Sequence, residues 1–299
     1  MSAANGTGGM KPQRSMFIRR APLRFAVIAI ALIWSIPTLG ILISSFRDPR
    51  DIQSSGWWTT LVWPWEAKWT MLNYETVLGA DNMANAFINS LVVSIPATII
   101  PITIAAFAAY AFAWMRFPFR GTLFMLVIAL LVVPLQMALL PVQELYRLLG
   151  ERGIPISQSF PGVWLAHSAF GLPLAIFLLY NFISQLPGDL FETASIDGAT
   201  HFQMFTKVVL PLSVPALAAF AIFQFLWVWN DLLVALVFLG AEAENSVMTL
   251  ELFRMVGGRG SQWHLLTAGA FVTMILPMVV FLLLQRYFVR GLLSGSVKG

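Results

Sequence analysis

The chain has 299 residues, of which 58% are hydrophobic and 11% charged, about half the charged fraction of a soluble domain. With a mean hydropathy of +0.78 and repeated apolar runs of membrane-spanning length, it reads as an all-α, polytopic membrane protein. The absence of cysteine excludes disulfides, thiol catalysis and cysteine metal sites. The histidines (His167, His201, His264) are too scattered for a metal site, and the net charge of +4 is spread over tails and loops with no basic face for nucleic acid.

Residues 1–20 are rich in Gly, Ser and Ala and then basic (Lys11, Arg14, Arg19, Arg20), which predicts a disordered cytoplasmic tail ahead of a membrane domain over 21–299. The first apolar run, 25–46, is too long for a signal-peptide core and is expected as a retained span. The segment 47–85 carries Trp57, Trp58, Trp63, Trp65 and Trp69. These suit either an interfacial aromatic belt or a contact surface for an extracytoplasmic partner or a sugar. Five further spans are predicted over 86–115, 121–143, 161–184, 208–239 and 265–285. Prolines inside them, such as Pro96 and Pro101, are tolerated where neighbours re-satisfy the freed carbonyls. Ala105, Ala109 and Ala113 form a small-residue stripe for close helix approach, within this subunit or against a second one.

With the N-terminus inside, the inner segments hold eleven of the 18 Lys and Arg, and the outer segments hold ten of the 14 acids. Both termini are therefore expected to be cytoplasmic. The inner segment 187–207 departs from the rule, setting Asp189, Glu192 and Asp197 against Lys207 alone. Such a loop is a candidate docking surface. Its sequence predicts a short helix beginning near Pro187, with carboxylates in or near the first turn. Gly198 ends it in a left-handed conformation. Leu190, Phe191 and Ala194 form an apolar stripe that could fill a partner's groove.

The order Glu192-Thr193-Ala194, three residues, Gly198, nine residues, then Val208, one residue and Leu210-Pro211 resembles the signature loop of membrane subunits of binding-protein-dependent ABC importers. Thr193 and Val208 are mild departures from it. The ending from Gln285 to Gly299 and the run Trp229-Asn230-Asp231 look like the carbohydrate-uptake branch. The layout is similar to the smaller channel subunit of maltose-type importers, over about 82–299. The resemblance implies a type I importer permease with a cytoplasmic coupling helix between spans four and five. That helix would be seated in an ATPase subunit, with Leu190, Phe191, Glu192, Ala194, Asp197 and Gly198 as the coupling residues. It also implies a second homologous permease, a cytoplasmic ATPase dimer carrying the ATP and Mg, an extracytoplasmic sugar-binding protein and a sugar substrate. The setting would be a bacterial or archaeal cytoplasmic (inner) membrane, with no cofactor on this chain.

The chain is not expected to be an enzyme. Lys11, Lys68, Lys207 and Lys298 are followed by Pro, Trp, Val and Gly, so none completes the Gly-Lys-Ser/Thr of a phosphate-binding loop. Asp231 reads as the one acid inside a span, facing a cavity or a partner. Asn230 beside it has both hydrogen-bond roles that sugar hydroxyls need, and Trp227 and Trp229 could stack on sugar rings or simply pack. Pathway lining and a structural hydrogen bond between helices are both open for Asp231. His167 reads as a packing histidine. The connector 242–264, with Gly257-Gly258-Arg259-Gly260, is expected to be flexible, and either reaches a binding protein, as the resemblance implies, or is only a solvated connector. The alternative to an ABC permease is a stand-alone ion-coupled carrier using Asp231 as its coupling group.

Overall fold

A computed structural model of the chain describes residues 14–79, 82–240, 242, 244–258 and 262–294. The elements in order are α1 (Arg14–Ser45), α2 (Pro49–Ser54), α3 (Thr59–Val62), α4 (Leu72–Gly79), α5 (Met83–Trp114), α6 (Arg120–Leu130), α7 (Leu135–Glu151), α8 (Phe160–Ile183), α9 (Gly188–Ile196) and α10 (His201–Met204). A π-helical turn (Phe205–Val209) follows, then α11 (Leu210–Trp229), α12 (Leu233–Leu239), α13 (Met248–Gly258) and α14 (Trp263–Ser294). Among the described residues the fold is all helix and loop, apart from one isolated bridge between Arg47 and Trp69.

Among the described residues, five helices are long and apolar enough to cross a membrane: Ala21–Ser45, Met83–Trp114, Phe160–Ile183, His201–Trp229 and Trp263–Gln285. The expected third span is not a straight helix. Its halves, α6 and α7, meet at 103°. The cause is Pro134, which cannot donate an N–H and holds Val133 out of the helical region. The last carbonyls of α6 are instead closed by tight turns, including Val133 N–H to Leu130 O at 3.2 Å. The expected fifth span also breaks, at 230–232, between α11 and α12. At the N-terminal end, α1 starts at Arg14, so residues 14–20 of the tail expected to be disordered are helical; residues 1–13 lie outside the described residues.

Three prolines leave their helices intact for a specific reason. Pro96 and Pro101 lie inside α5 and Pro277 inside α14. Each frees the carbonyl four residues earlier. The Val92 carbonyl accepts the Trp164 indole N–H at 2.8 Å, the Ala97 carbonyl accepts Gln224 Nε2 at 3.2 Å, and the Thr273 carbonyl accepts the Trp229 indole N–H at 3.0 Å. Donors from α8 and α11 thus repair α5 and α14, as a medium without water demands.

Packing follows the same pairs, since α5 lies chiefly on α8 and α11 lies between α5 and α14. Ala105, Ala106 and Ala109 of α5 are buried in one cluster with Ala175, Ile176 and Leu179 of α8, and Ala113 packs at its edge. The alanine stripe therefore brings two helices of this chain close together. By contrast α1 leaves most of its apolar side chains exposed, including Trp34 and Phe25, as a lipid-facing helix would.

The Trp-rich segment after α1 is folded on itself. Asn73 Nδ2 donates to the carbonyls of Ser45 and Arg47, each at 2.9 Å, and Thr70 N–H donates to Phe46 O at 2.8 Å. The connector expected to be flexible between 242 and 264 contains α13. It is also pinned to α5, because Asn89 Nδ2 donates to Glu244 O and Ser246 O, each at 2.9 Å, and Ser90 Oγ accepts from Met248 N at 2.9 Å.

The proline repairs make a coupled prediction. Trp229→Phe leaves the Thr273 carbonyl without its donor and should lower stability by about 1–2 kcal/mol. Adding Pro277→Ala restores a backbone donor and should recover most of that loss. A thermal double-mutant cycle on detergent-purified protein checks this, and simple additivity of the two changes would disprove the pairing.

Candidate functional site

The segment after α8 is built by ordinary end-of-helix chemistry. Pro187 caps α9, and Asp189 sits in its first turn. At the other end Gly198 has φ +74°, Gly198 N–H donates to Ser195 O at 3.1 Å and Ala199 N–H to Ala194 O at 2.9 Å. That pair of bonds is a Schellman stop. Thr200 and Gln203 then form a capping box that starts α10, and the chain continues through the π turn into α11.

α9 is fastened to the membrane domain by Phe191. This side chain is only 7% exposed and stacks on Trp114, the last residue of α5, with ring centroids 3.6 Å apart. The Trp114 indole N–H donates to Ile183 O, at the end of α8, at 3.0 Å. Ala194 packs in the same cluster. The apolar stripe expected to face a partner is therefore divided: Phe191 and Ala194 turn toward their own chain, and Leu190 is exposed. The outward face carries Glu192, Asp197 and, missed in the sequence reading, Ile196, which is 80% exposed. Its signal was its place four residues after Glu192, on the same side of the helix.

The second candidate region is the break after α11. Asp231 is not inside a continuous helix. Its Oδ2 accepts from Val234 N at 2.8 Å and Ala235 N at 3.2 Å, so the carboxylate caps α12. Its carbonyl accepts from Thr249 Oγ1 at 2.7 Å. His167 Nε2 lies 3.9 Å from Oδ2, and the His167 ring meets Trp227 edge to face at 5.8 Å. Asn230 is exposed, with its amide folded back onto Leu226 O at 2.7 Å. Trp229 is 2% exposed, stacked on Phe225 and bonded to Thr273 O, so it packs the interior. These two bonds give the Asp231 carboxylate a structural role at the break.

Trp227 instead lines a cavity of about 400 Å³ between the α6–α7 elbow, α8 and α11. Its walls are apolar except at Trp227 and Gln224. Gln224 is fully buried and donates through Nε2 to Ala97 O, while its Oε1 takes no hydrogen bond from any described residue. A Cβ on Gly171 would lie 2.7 Å from that Oε1. Gln224 was overlooked in the sequence, although it is a lone amide in the apolar run of α11, three residues before Trp227. Of the glycine segment, Gly257 and Gly258 end α13; Arg259 and Gly260 lie outside the described residues.

Space around Gly198 is open: a Cβ added there would meet nothing within 4 Å, so its backbone alone fixes the residue type. Gly198→Val should cost about 1–2 kcal/mol and Gly198→Asn clearly less, because Asn tolerates the left-handed region. Thermal midpoints of the purified chain check this; equal costs for the two variants would mean that φ is not the determinant.

The sequence pattern of the family described as binding-protein-dependent transport system inner membrane component matches residues 101–294. The osmoprotective compounds uptake permease protein GgtD of Synechocystis sp. is 55% identical, over 96% of this chain and 95% of its own length. The alpha-glucoside transport system permease protein AglG of Rhizobium meliloti is 41% identical, over 94% of this chain and 99% of its own. In structure, a chain of a bacterial alginate ABC transporter, solved in complex with an alginate pentasaccharide-bound periplasmic protein, superposes with a TM-score of 0.66 at 16% identity, covering 90% of this chain and 94% of that one. The helical layout and these matches agree, and the chain belongs to the family of binding-protein-dependent transport system inner membrane components.

Proposed function

We propose that this chain is one of two permease subunits of an ATP-driven sugar importer, with α9 as the element that couples it to a cytoplasmic ATPase. The observation that carries the coupling role is the two-sided build of α9. Phe191 locks one side to Trp114, while Glu192, Ile196 and Asp197 stand exposed on the other. A helix held this way can receive a partner's movement and pass it to α5 and α8. In this reading both termini are cytoplasmic, in a bacterial or archaeal inner membrane. ATP and Mg are bound by the ATPase dimer, and a binding protein delivers the sugar from outside. ATP shifts such a transporter between inward-open and outward-open states because the closed ATPase dimer binds it more tightly.

For the substrate we take a sugar, the alpha-glucosides named for one relative being an example, beside the osmoprotective compounds named for another. The 400 Å³ cavity supports this. Gln224 and Trp227, one turn further along α11, are the side chains with hydrogen-bonding groups in its wall, and a hydroxyl can bond to either kind. Gln224 and Trp227 are thus the pathway residues of this reading, with Asp231 as the cap that shapes the break beside them.

The deciding experiment is Glu192→Lys. Its side chain is exposed, so insertion and folding should survive. Copurification of the ATPase and ATP-driven uptake should both be lost, by about tenfold or more, as for an interface charge turned against its partner. Normal uptake by this variant would overturn the assignment of α9.

A further inference from the structure

The run Gly56-Trp57-Trp58-Thr59-Thr60-Leu61-Val62-Trp63-Pro64-Trp65 carries no charge and four tryptophans. It belongs neither to the cavity wall nor to α9. The loop that contains it is tied to the end of α1 at both of its own ends. Asp48 N–H donates to Lys68 O at 3.3 Å and Thr70 N–H to Phe46 O at 2.8 Å, so the chain leaves α1 at Arg47 and comes back to it at Trp69. In between, it turns back along the helix. Gly40 of α1 is buried, and a Cβ there would lie 2.9 Å from the indole nitrogen of Trp57.

That contact fixes a depth. The 22 residues between Arg24 and Arg47 are uncharged, which makes about 33 Å of helix against a hydrocarbon core of about 30 Å. The run therefore fills the core, and its closing serines, Ser44 and Ser45, mark one boundary. Gly40 precedes Ser44 by four residues, so the Trp57 ring meets α1 about 6 Å inside that boundary. This lies within the ~5–10 Å to which interfacial segments bury their apolar faces. Trp58 stands beside Trp57, edge to face with ring centroids 6.2 Å apart. It is exposed, as are Leu61, Val62, Trp63 and Trp65.

The polar groups of the turn are met from within. The Thr59 and Thr60 hydroxyls donate to Gly56 O and Trp57 O at 2.7 and 2.6 Å. The Arg47 guanidinium donates to Ser55 O and Asp51 O at 3.1 and 3.0 Å. An apolar turn whose carbonyls are satisfied by its own side chains suits a medium short of water. A water-soluble partner has no access at that depth, and α1 alongside presents Trp34, Ile36 and Leu39 outward as a lipid-facing helix does.

We propose that residues 56–65 form an interfacial anchor whose partner is the lipid surface, with Trp58, Leu61 and Trp65 seated at the headgroup–acyl boundary beside α1. Tryptophan suits that level because its ring is apolar while the N–H at its rim reaches ester and phosphate oxygens. α1 packs on the bundle chiefly through α14, and the anchor gives it a second hold. Span length sets the depth whichever side of the membrane is outside, so the inference is independent of the importer reading.

The chain has no cysteine, so one introduced Cys can carry a nitroxide on the full chain, labelled before reconstitution with its partner subunits in lipid nanodiscs. The labelled variants are Leu61→Cys and Trp65→Cys, with Leu39→Cys as the lipid reference and Arg152→Cys as the water reference. All four side chains are exposed, so the fold should tolerate each change. Electron paramagnetic resonance then reads collisions with oxygen, which concentrates in lipid, and with a water-soluble nickel complex. At positions 61 and 65 nickel collisions should fall at least about threefold below the water reference, while oxygen collisions approach those at Leu39. A smaller fall places the segment in water and overturns the anchor. Labels shielded from both reagents overturn it too, because protein rather than lipid then covers the segment. A measurement without labels uses lipids brominated on their acyl chains: the emission that Trp58→Phe removes should be quenched by them, and unquenched emission also overturns the anchor.

Discussion

The constraint on which this structure depends is that a backbone carbonyl freed inside an apolar medium must find an N–H elsewhere. Water is not there to supply one. Pro96, Pro101 and Pro277 each free such a carbonyl, and each is met by a side chain from a neighbouring helix: Trp164, Gln224 and Trp229. These bonds set the positions of helices relative to one another as well as satisfying them. An indole N–H has a fixed reach, so α8 and α11 are registered against α5 and α14 at defined points along the bundle. The small-residue contact of Ala105 and Ala109 with Ala175 supplies the close approach that such short bonds need.

The same bookkeeping assigns roles to residues that look alike in the sequence. Trp227 and Trp229 lie two positions apart, yet one lines a cavity and the other repairs α14. Gln224 lies in the cavity wall as well: its amide nitrogen is taken by Ala97 O, and its oxygen is buried there without a donor among the described residues. Asp231, an acid at odds with the apolar run around it, satisfies the first N–H groups of α12. Polar groups in the interior are thus first structural, and only what remains of them is available to a substrate.

This explains what could be read in the sequence and what could not. The fourth span was legible to within about a residue, since 161–184 was expected and Phe160–Ile183 is found. The short helix α9 and its left-handed end were written in Pro187 and Gly198. The elbow at Pro134 was not legible, because prolines at 96 and 101 look no different. At Pro96 and Pro101 a donor from another helix meets the freed carbonyl, whereas α6 ends in local turns before Pro134, and neither outcome is visible in the residues flanking the proline. The inward turn of Phe191 was hidden for a similar reason. Its partner Trp114 lies on an earlier helix, and periodicity within α9 gives no information about which neighbour an apolar face will meet.

Trp114 carries a mechanical implication. It ends α5, its ring lies against Phe191 of α9, and its indole nitrogen holds the last turn of α8 through Ile183. Three elements therefore share one fastening point. At that end of the bundle α5 and α8 cannot shear past each other without parting the indole from its carbonyl. The stiffness is directional: a load applied to α9 is carried as a tilt of the two spans together, with little left over for sliding between them.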